Sequence, residues 1–289
     1  MADTERLMQL ERQAREVFDE VDRELRQIPG VVEVGIGLKR RGGELTDVVA
    51  FRVYVEEKLP ISELPPEQVI PAEIRGFPTD VIKRYDRLPA TGFDDEDDWK
   101  NYPTKVGGIR IGSRDSGGTG TLGCFARRNS DSKTVFLSNH HVLMAGSAVV
   151  GSEVGQPKYT RSCCCTCNSI GVVAGGDETL DCAIATLNDG VAFIPKIRKI
   201  RRADDTVEQS GIISGTGAAV LAAEVWKVGA RTGLTRGIVE QTAPDVVIDP
   251  LAAFPRMAYF GDAGSVAIDL FGEVIGLVKE IDQDAPTGV

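Results

Sequence analysis

Residues 260–266 read Phe-Gly-Asp-Ala-Gly-Ser-Val, and this stretch decides how the second half of the chain is interpreted. Its two glycines permit backbone dihedrals that other residues disfavour, and they let a neighbouring chain approach closely. The apolar residues that follow predict a tight turn entering a strand. A single glycine-rich turn before a strand is a weak signal, because such turns are common. Its meaning depends on two stretches upstream.

The sequence on both sides of this turn, from Val106 onward, predicts a β domain. Short apolar segments alternate with glycine-containing turns, and helix-period segments nearly vanish. A hairpin is predicted over residues 119–137, with its turn at 129–132, and a second over residues 225–239. Repeated short strands of this kind are typical of an all-β barrel or sandwich.

The only two histidines of the protein, His140 and His141, follow an apolar strand directly. Histidine is the side chain best placed near neutral pH to act as a general base. A hydrogen-bonded structural histidine is the ordinary alternative. Two adjacent histidines at the end of a strand leave both interpretations open.

Asp181 stands directly before an alternating apolar segment, residues 182–187. A carboxylate there is costly unless it is exposed or paired. A buried histidine partner is one such pairing. Taken by itself, Asp181 fits an exposed residue at a strand start better.

Composition excludes several classes of function. The chain has 289 residues, a net charge of −10 and 26% charged residues, with a pI near 4.9. An acidic protein is a poor partner for nucleic acid or an anionic membrane surface. No apolar run approaches the length of a membrane span, and the charged N-terminal residues lack the apolar core of a signal peptide. We therefore expect a cytoplasmic protein that binds neither nucleic acid nor membrane.

The first part of the chain predicts a helix followed by a small α/β module. A narrow apolar stripe runs along residues 4–28, and strands are expected at 31–38, 48–55 and 79–83. The helix either lies on its own domain or joins copies of the chain as an oligomerisation helix. The predicted domains are residues 1–90, an acidic linker at 91–105, and a β domain at 106–289.

The three weak signals occur in a meaningful order. His141 comes first, Asp181 follows about 40 residues later, and the Ala263 turn about 80 residues beyond that. His, Asp, Ser is the chain order of the chymotrypsin-like triad. The sequence resembles the trypsin-like serine peptidases of the bacterial intracellular kind. It is also similar to the plant Narrow Leaf group, which carries a small α/β segment ahead of the protease.

This resemblance implies a chymotrypsin-like double β-barrel and a role for each matched position. His141 matches the general base in the pattern Ser-Asn-x-His-Val, and Asp181 matches the aspartate that orients the imidazole. Ala263 occupies the nucleophile's place, and the N–H groups of Gly261 and Ala263 would form the oxyanion hole. Met257 falls where such enzymes often place the base of the specificity pocket. The implied activity is endopeptidase cleavage of a protein or peptide, without a cofactor.

The departure from the family pattern is Ala263, because the family has serine there. A chain without that hydroxyl should be close to inert. One interpretation is a serine protease in a disabled Ser→Ala form. The other is a natural pseudoprotease that binds a peptide or partner as a scaffold. The retained His141 and Asp181 motifs favour the first.

Two further motifs carry less weight. Four of the six cysteines lie within residues 163–167. Adjacent cysteines rarely place all their sulfurs around one ion, so we expect reduced thiols and no metal site, with zinc as the alternative. Residues 105–108, Lys-Val-Gly-Gly, resemble an activation cleavage site whose new N-terminus would pair with Asp262. A plain turn entering the first strand is the favoured interpretation.

Overall fold

The computed structural model describes residues 2–85, 87–89, 99–160, 168–198 and 212–282. Within these ranges the chain forms one long helix, one short helix, two 3-10 turns and twenty-one strands, most of them short. The predicted fold class, mainly β with an N-terminal helix, is confirmed. The cysteine cluster at 163–167 and the acidic run at 94–98 lie outside the described residues. No helix in the described ranges is long and apolar enough to cross a membrane.

The N-terminal segment contains the long helix and five strands. Their bounds are α1 Ala2–Leu25, β1 Val31–Arg41, β2 Glu44–Val55, β3 Glu73–Ile74, β4 Phe77–Lys83 and β5 Arg87–Pro89, with 3-10 turns at Ile61–Glu63 and Pro66–Gln68. The helix ends three residues before its predicted end. Beyond Leu25 the bonds tighten, since the N–H of Ile28 donates to the carbonyl oxygen of Leu25 at 3.0 Å.

The apolar stripe of α1 faces the chain's own sheet. Leu7, Ala14 and Val21 are buried in one cluster with Val34 and Phe51 of the β1–β2 hairpin. Burial against an amphipathic partner is the main source of helix stability in proteins. The structure thus agrees with a helix that lies on its own domain. Oligomerisation through this helix remains a prediction, and a partner would have to meet its charged outer face.

A seven-stranded sheet forms the middle of the chain. Its strands are β7 Arg110–Ser113, β8 Gly120–Thr121, β9 Phe125–Arg127, β10 Thr134–Ser138, β11 Glu153–Gly155, β12 Ser169–Asp177 and β13 Cys182–Leu187. They lie in the order β8-β7-β11-β12-β13-β10-β9. The short helix α2, His140–Leu143, follows β10, and β6 Lys105–Gly107 pairs separately with β14 Phe193–Ile197. The sheet encloses an apolar cluster that includes Phe136 and Val142.

The C-terminal strands form a larger sheet together with the N-terminal segment. They are β15 Gly215–Thr216, β16 Glu224–Gly229, β17 Gly233–Ala243, β18 Val247–Pro250, β19 Val266–Asp269, β20 Glu273–Leu277 and β21 Glu280–Asp282. The ten-stranded sheet has the order β15-β20-β19-β16-β17-β1-β2-β4-β3, with β18 attached to β17, while β21 pairs with β5. Two sheets of this kind agree with the predicted pair of β-barrels.

The contact between β1 and β17 joins the first and last parts of the chain. Ile36 faces Ala243 and Gly37 faces Gln241. A Cβ on Gly37 would stand 2.5 Å from the carbonyl oxygen of Glu240, so only glycine allows this approach. Sequence analysis did not predict that the N-terminal hairpin and the C-terminal strands share a sheet.

Candidate active site

A histidine–aspartate pair lies at the end of the seven-stranded sheet. Nδ1 of His141 is 2.7 Å from Oδ2 of Asp181, and the backbone N–H of His141 donates to Oδ1 at 3.0 Å. Both side chains are about one-fifth exposed. The Asp181 carboxylate therefore binds both the ring and the backbone N–H of His141. These two contacts fix the orientation of the imidazole.

Strand register explains why these two residues meet across 40 positions of sequence. β10 and β13 are antiparallel, with Ser138 opposite Ala183, so the residues after β10 face those before β13. Asn139 Nδ2 adds a hydrogen bond of 2.8 Å to the carbonyl oxygen of Asp181. Asp181 has φ +48°, a left-handed conformation that aspartate tolerates better than most residues.

The second ring nitrogen of His141 has no partner. Nε2 is buried and makes no hydrogen bond with any described residue. Buried polar atoms in folded proteins are almost always bonded, so this nitrogen is open to a partner from outside the described chain. When Nδ1 carries the proton toward Asp181, Nε2 presents a lone pair and acts as an acceptor.

The glycine-bracketed turn forms as the sequence predicts. Gly261 has φ +102° and Gly264 has φ +90°, both in the region that favours glycine. Ser265 N–H donates to the carbonyl oxygen of Asp262 at 3.0 Å, which closes the turn. Among the described residues, the N–H groups of Gly261 and Ala263 donate to no protein atom. These are the two groups predicted to form an oxyanion hole.

The turn docks on the sheet that carries His141. The N–H of Thr121, in β8, donates to the carbonyl oxygen of Ala263 at 2.7 Å, and its hydroxyl donates to that of Gly261 at 2.9 Å. Thr121 Oγ1 also accepts the N–H of Ala230 at 3.0 Å, so one threonine binds two segments of the second sheet. Thr121 was not predicted as a site residue, and its sequence context offers no signal.

Two close approaches bring the turn beside the histidine segment. A Cβ on Gly264 would stand 2.1 Å from Oγ of Ser138, which lies three residues before His141. A Cβ on Gly120 would meet both Val142 Cγ2, at 2.5 Å, and the carbonyl oxygen of Ala263, at 2.6 Å. Ala263 is fully buried in the apolar cluster that contains Val142. The segment that carries His141 and the turn that carries Ala263 therefore lie side by side.

A buried ion pair stabilises the turn at the residue before Ala263. Asp262 and Lys227 are both fully buried, with Nζ 2.9 Å from Oδ2. The carboxylate also accepts the N–H groups of Arg231, Thr232 and Tyr259 at 2.9–3.0 Å. Burial disfavours the charged carboxylate, but Lys227 and Thr232 hold the pKa of Asp262 below its ordinary value. A Cβ on Gly229 would stand 2.0 Å from this carboxylate.

Lys227 is the cationic partner of Asp262. The carboxylate therefore needs no second partner from a new N-terminus created by cleavage at residues 105–108. Lys105–Gly107 is instead β6, and the N–H of Gly108 bonds to Leu122. The role of Lys227 was not predicted, although a lysine between Trp226 and Val228 in an apolar strand is a signal that its charge needs a partner. A charge there has to be paired.

The remaining predicted positions lie apart from the turn. Met257 is buried among Val225 and Val239, in the cluster beneath the N-terminal helix, and its carbonyl oxygen accepts the hydroxyl of Thr235 at 2.6 Å.

Burial raises the pKa of Cys124 to about 11, so this thiol is unreactive near neutral pH. Within the described ranges, no group of three or more metal-ligating side chains occurs.

Comparisons with known proteins add partial structural likenesses. No protein-family model matches the chain, and no curated protein does. Protease A of Thermobifida fusca is 16% identical with a TM-score of 0.40, over 63% of this chain and 92% of that one. Nocardiopsis protease is 18% identical with a TM-score of 0.41, over 60% and 81%. A glutamic acid-specific serine protease, described as using a histidine triad in substrate binding, is 16% identical with a TM-score of 0.43, over 60% and 83%. Identities and TM-scores this low assign neither a family nor an activity.

Proposed function

We propose that the chain carries the framework of a serine endopeptidase that works by acyl transfer, in a form disabled at Ala263. The observation that carries the proposal is the unbonded Nε2 of His141, in a segment whose residues Ser138 and Val142 lie close to the glycines around the Ala263 turn. Asp181 holds Nδ1, so Nε2 is the atom left to accept a proton. A serine at position 263 would supply the missing donor in the same buried region.

Each side chain has a defined task in this reaction. The hydroxyl of a serine at position 263 would give its proton to His141 Nε2 while its oxygen attacks the carbonyl carbon of a peptide bond. The oxyanion would accept the free N–H groups of Gly261 and Ala263. Collapse of the tetrahedral intermediate would then expel the amine, which takes the proton back from His141. Asp181 would stabilise the imidazolium throughout.

Restoring the serine tests the proposal. The Ala263→Ser protein should react with a small alkyl fluorophosphonate, forming a serine–phosphorus bond and releasing fluoride. Adding His141→Ala should slow this labelling by roughly 10⁴-fold or more, because the general base is lost. Labelling is measured by intact-protein mass spectrometry over time. An Ala263→Ser protein that is folded yet never labelled would sink the proposal.

Ser265 provides a matched control two residues away. Its hydroxyl is also buried and unbonded among the described residues, so it is the other serine that a probe could modify at this turn. Ala263→Ser combined with Ser265→Ala should label as fast as Ala263→Ser alone. If Ser265→Ala abolished the labelling, the probe would be reacting with Ser265 and not with the serine at position 263.

A pseudoprotease scaffold is the second candidate, and Ala263 itself favours it. The alanine is accommodated in the apolar cluster with the turn intact, so the turn can keep its shape without catalysis. On this view the chain binds a protein or peptide partner and releases it uncut. The two candidates separate on one result, because only the first predicts His141-dependent labelling of the restored serine.

A further inference from the structure

The backbone segment that bonds to the nucleophile turn continues into β21. Gly264 N–H donates to the carbonyl oxygen of Val278, and Val278 N–H donates to that of Ser265, each at 2.9 Å. Glu280, the first residue of β21, comes two residues later, within about 7 Å of extended chain. Val278 and Ile281 pack against the cluster that contains Ala263.

An extended peptide is commonly held by adding a strand to a free sheet edge, where backbone hydrogen bonds supply affinity for any sequence. A peptide with a reacting carbonyl at the Ala263 turn would continue along the nearest backbone edge. In the described part of the chain β21 is such an edge, because it begins two residues after the Val278 that bonds to the turn. It is, however, already paired.

The strand that pairs with it is β5, Arg87–Pro89, from the N-terminal segment. The two strands are antiparallel, with Pro89 opposite Glu280, Leu88 opposite Ile281, and Arg87 opposite Asp282. Within the described residues β21 pairs with no other strand. This chain therefore lays its own extended segment along the edge that a peptide would need.

We propose that Arg87–Pro89 occupies the peptide-binding edge of the site, so that the chain inhibits itself. This inference rests on the proposed function, because it names what regulates that same site. The competing ligand is an extended peptide that adds to β21 in place of β5.

The occupant is held weakly enough to be exchanged. A ribbon of two strands is marginally stable by itself, and this one has three residue pairs. Pro89 carries no N–H and cannot donate to the ladder, which places proline at edges of sheets. A peptide without proline would supply the N–H group that Pro89 lacks. Binding of a peptide and release of β5 are thus two states of one equilibrium.

The first test releases β5 without altering the turn. Arg87→Pro combined with Leu88→Pro leaves no N–H in this strand, whereas Arg87→Ala combined with Leu88→Ala keeps both. The unaltered Ala263 background is used, since binding needs no nucleophile. A mixed-sequence pool of fluorescent decapeptides serves as the probe, and binding is followed by anisotropy. The proline variant should bind the pool at least roughly tenfold more tightly than the alanine variant.

The second test locks β5 in place. Leu88→Cys and Ile281→Cys put thiols on directly opposed residues, a position from which a disulfide can form. The oxidised protein should bind no peptide, and reduction should restore the binding of the unaltered chain. Leu88→Cys alone, oxidised in the same way, controls for the native cysteines. Comparing the oxidised with the reduced protein tests the self-inhibition even if the proline variant does not fold.

These outcomes separate the two proposals. Equal peptide binding by the proline and alanine variants, or by the oxidised and reduced double-cysteine protein, would overturn the self-inhibition. Failure of Ala263→Ser to react with the small fluorophosphonate would instead overturn the peptidase, because that probe does not need the β21 edge. Amide hydrogen exchange locates the peptide: residues 280–282 should gain protection in the proline variant when the pool is added.

Discussion

Asp262 and Glu240 are both buried carboxylates with cationic partners, but they are bound by different parts of the chain. Asp262 meets Lys227 of β16 and several backbone N–H groups of neighbouring turns. Glu240 of β17 meets Arg52 at 2.7 Å and Arg40 at 2.7 Å, both from the N-terminal hairpin. The backbone is the main partner in the first case, and two guanidinium groups are the partners in the second.

The difference shows which feature each charge maintains. The bonds of Asp262 fix the conformation of the turn that holds Ala263, so this carboxylate serves the site. Those of Glu240 cross the β1–β17 contact, as does the hydroxyl of Tyr54, which donates to Gln241 Oε1 at 2.8 Å. Glu240 therefore attaches the N-terminal segment to the rest of the sheet. Removing either cation should destabilise the protein, but only one removal should damage the site.

Lys227→Met should have the largest effect. It leaves the carboxylate of Asp262 buried without its cation, and breaking a buried pair in this way costs about 3–5 kcal/mol. Urea unfolding at pH 7 measures the loss. In the Ala263→Ser background the same change should slow fluorophosphonate labelling by roughly tenfold or more, because the oxyanion N–H groups lose their support.

The matched control for Lys227→Met removes the charge of its partner as well. Lys227→Met combined with Asp262→Asn no longer buries an unpaired charge, so it should recover part of the lost stability. An asparagine side chain at position 262 has one acceptor oxygen where Asp262 has two, so it cannot bind all the backbone N–H groups that hold the turn. Labelling should therefore stay slow. A Lys227→Met protein as stable as the unaltered chain would contradict the role assigned to this pair.

Arg52→Met should have a smaller effect and leave the site intact. Arg52 is 3% exposed, but Arg40 remains beside Glu240 after the change, so we expect a loss of about 1–3 kcal/mol. Labelling in the Ala263→Ser background should stay within about twofold. Arg40→Met, at a more exposed position, provides the comparison within the same pair of bonds. Labelling that falls as far as with Lys227→Met would show that the junction also supports the site.

Local sequence patterns were sufficient for the helix, the hairpins and the mainly β class. The alternation of apolar residues and the glycine turns are read over a few positions, and they are decided by local physics. Local physics does not decide the pairing of β1 with β17, because this pairing joins residues about 200 positions apart and depends on which sheet edge is free. Gly35 and Gly37 are local traces of it, and a glycine in a strand equally well marks a bulge or a tight bend.

The site divides in the same way. His141, Asp181 and Ala263 could be predicted as candidates from sequence because their order and flanking residues form a pattern; the structure bonds His141 to Asp181 and places the Ala263 turn next to the segment that carries His141. Lys227 could be suspected only as a charge inside an apolar strand. Thr121 and the β5–β21 pairing carry no pattern, because one polar residue or three extended residues match many structures. Such contacts become visible only when the distant segments are placed side by side.

Acid should reveal the two carboxylates separately, with an effect of roughly 1–3 kcal/mol. Burial opposes ionisation of both, but Lys227 holds the pKa of Asp262 below its ordinary value, and Arg52 and Arg40 do the same for Glu240. A depressed carboxyl pKa contributes stability above the unfolded-state value, near 4, and this is lost as pH falls through the folded-state value. The free energy of unfolding, measured in urea from pH 7 to pH 3, should therefore decrease with acid. In Lys227→Met, Asp262 loses the cation that opposes burial and keeps only its hydrogen bonds to Thr232 and the backbone, so its pKa rises and the deficit relative to the unaltered chain should shrink toward pH 3. Arg52→Met should show a weaker convergence, since Arg40 still faces Glu240. Parallel curves for all three proteins would mean that the cations do not set the pKa of either carboxylate, and the contrast between the two would lose its electrostatic basis.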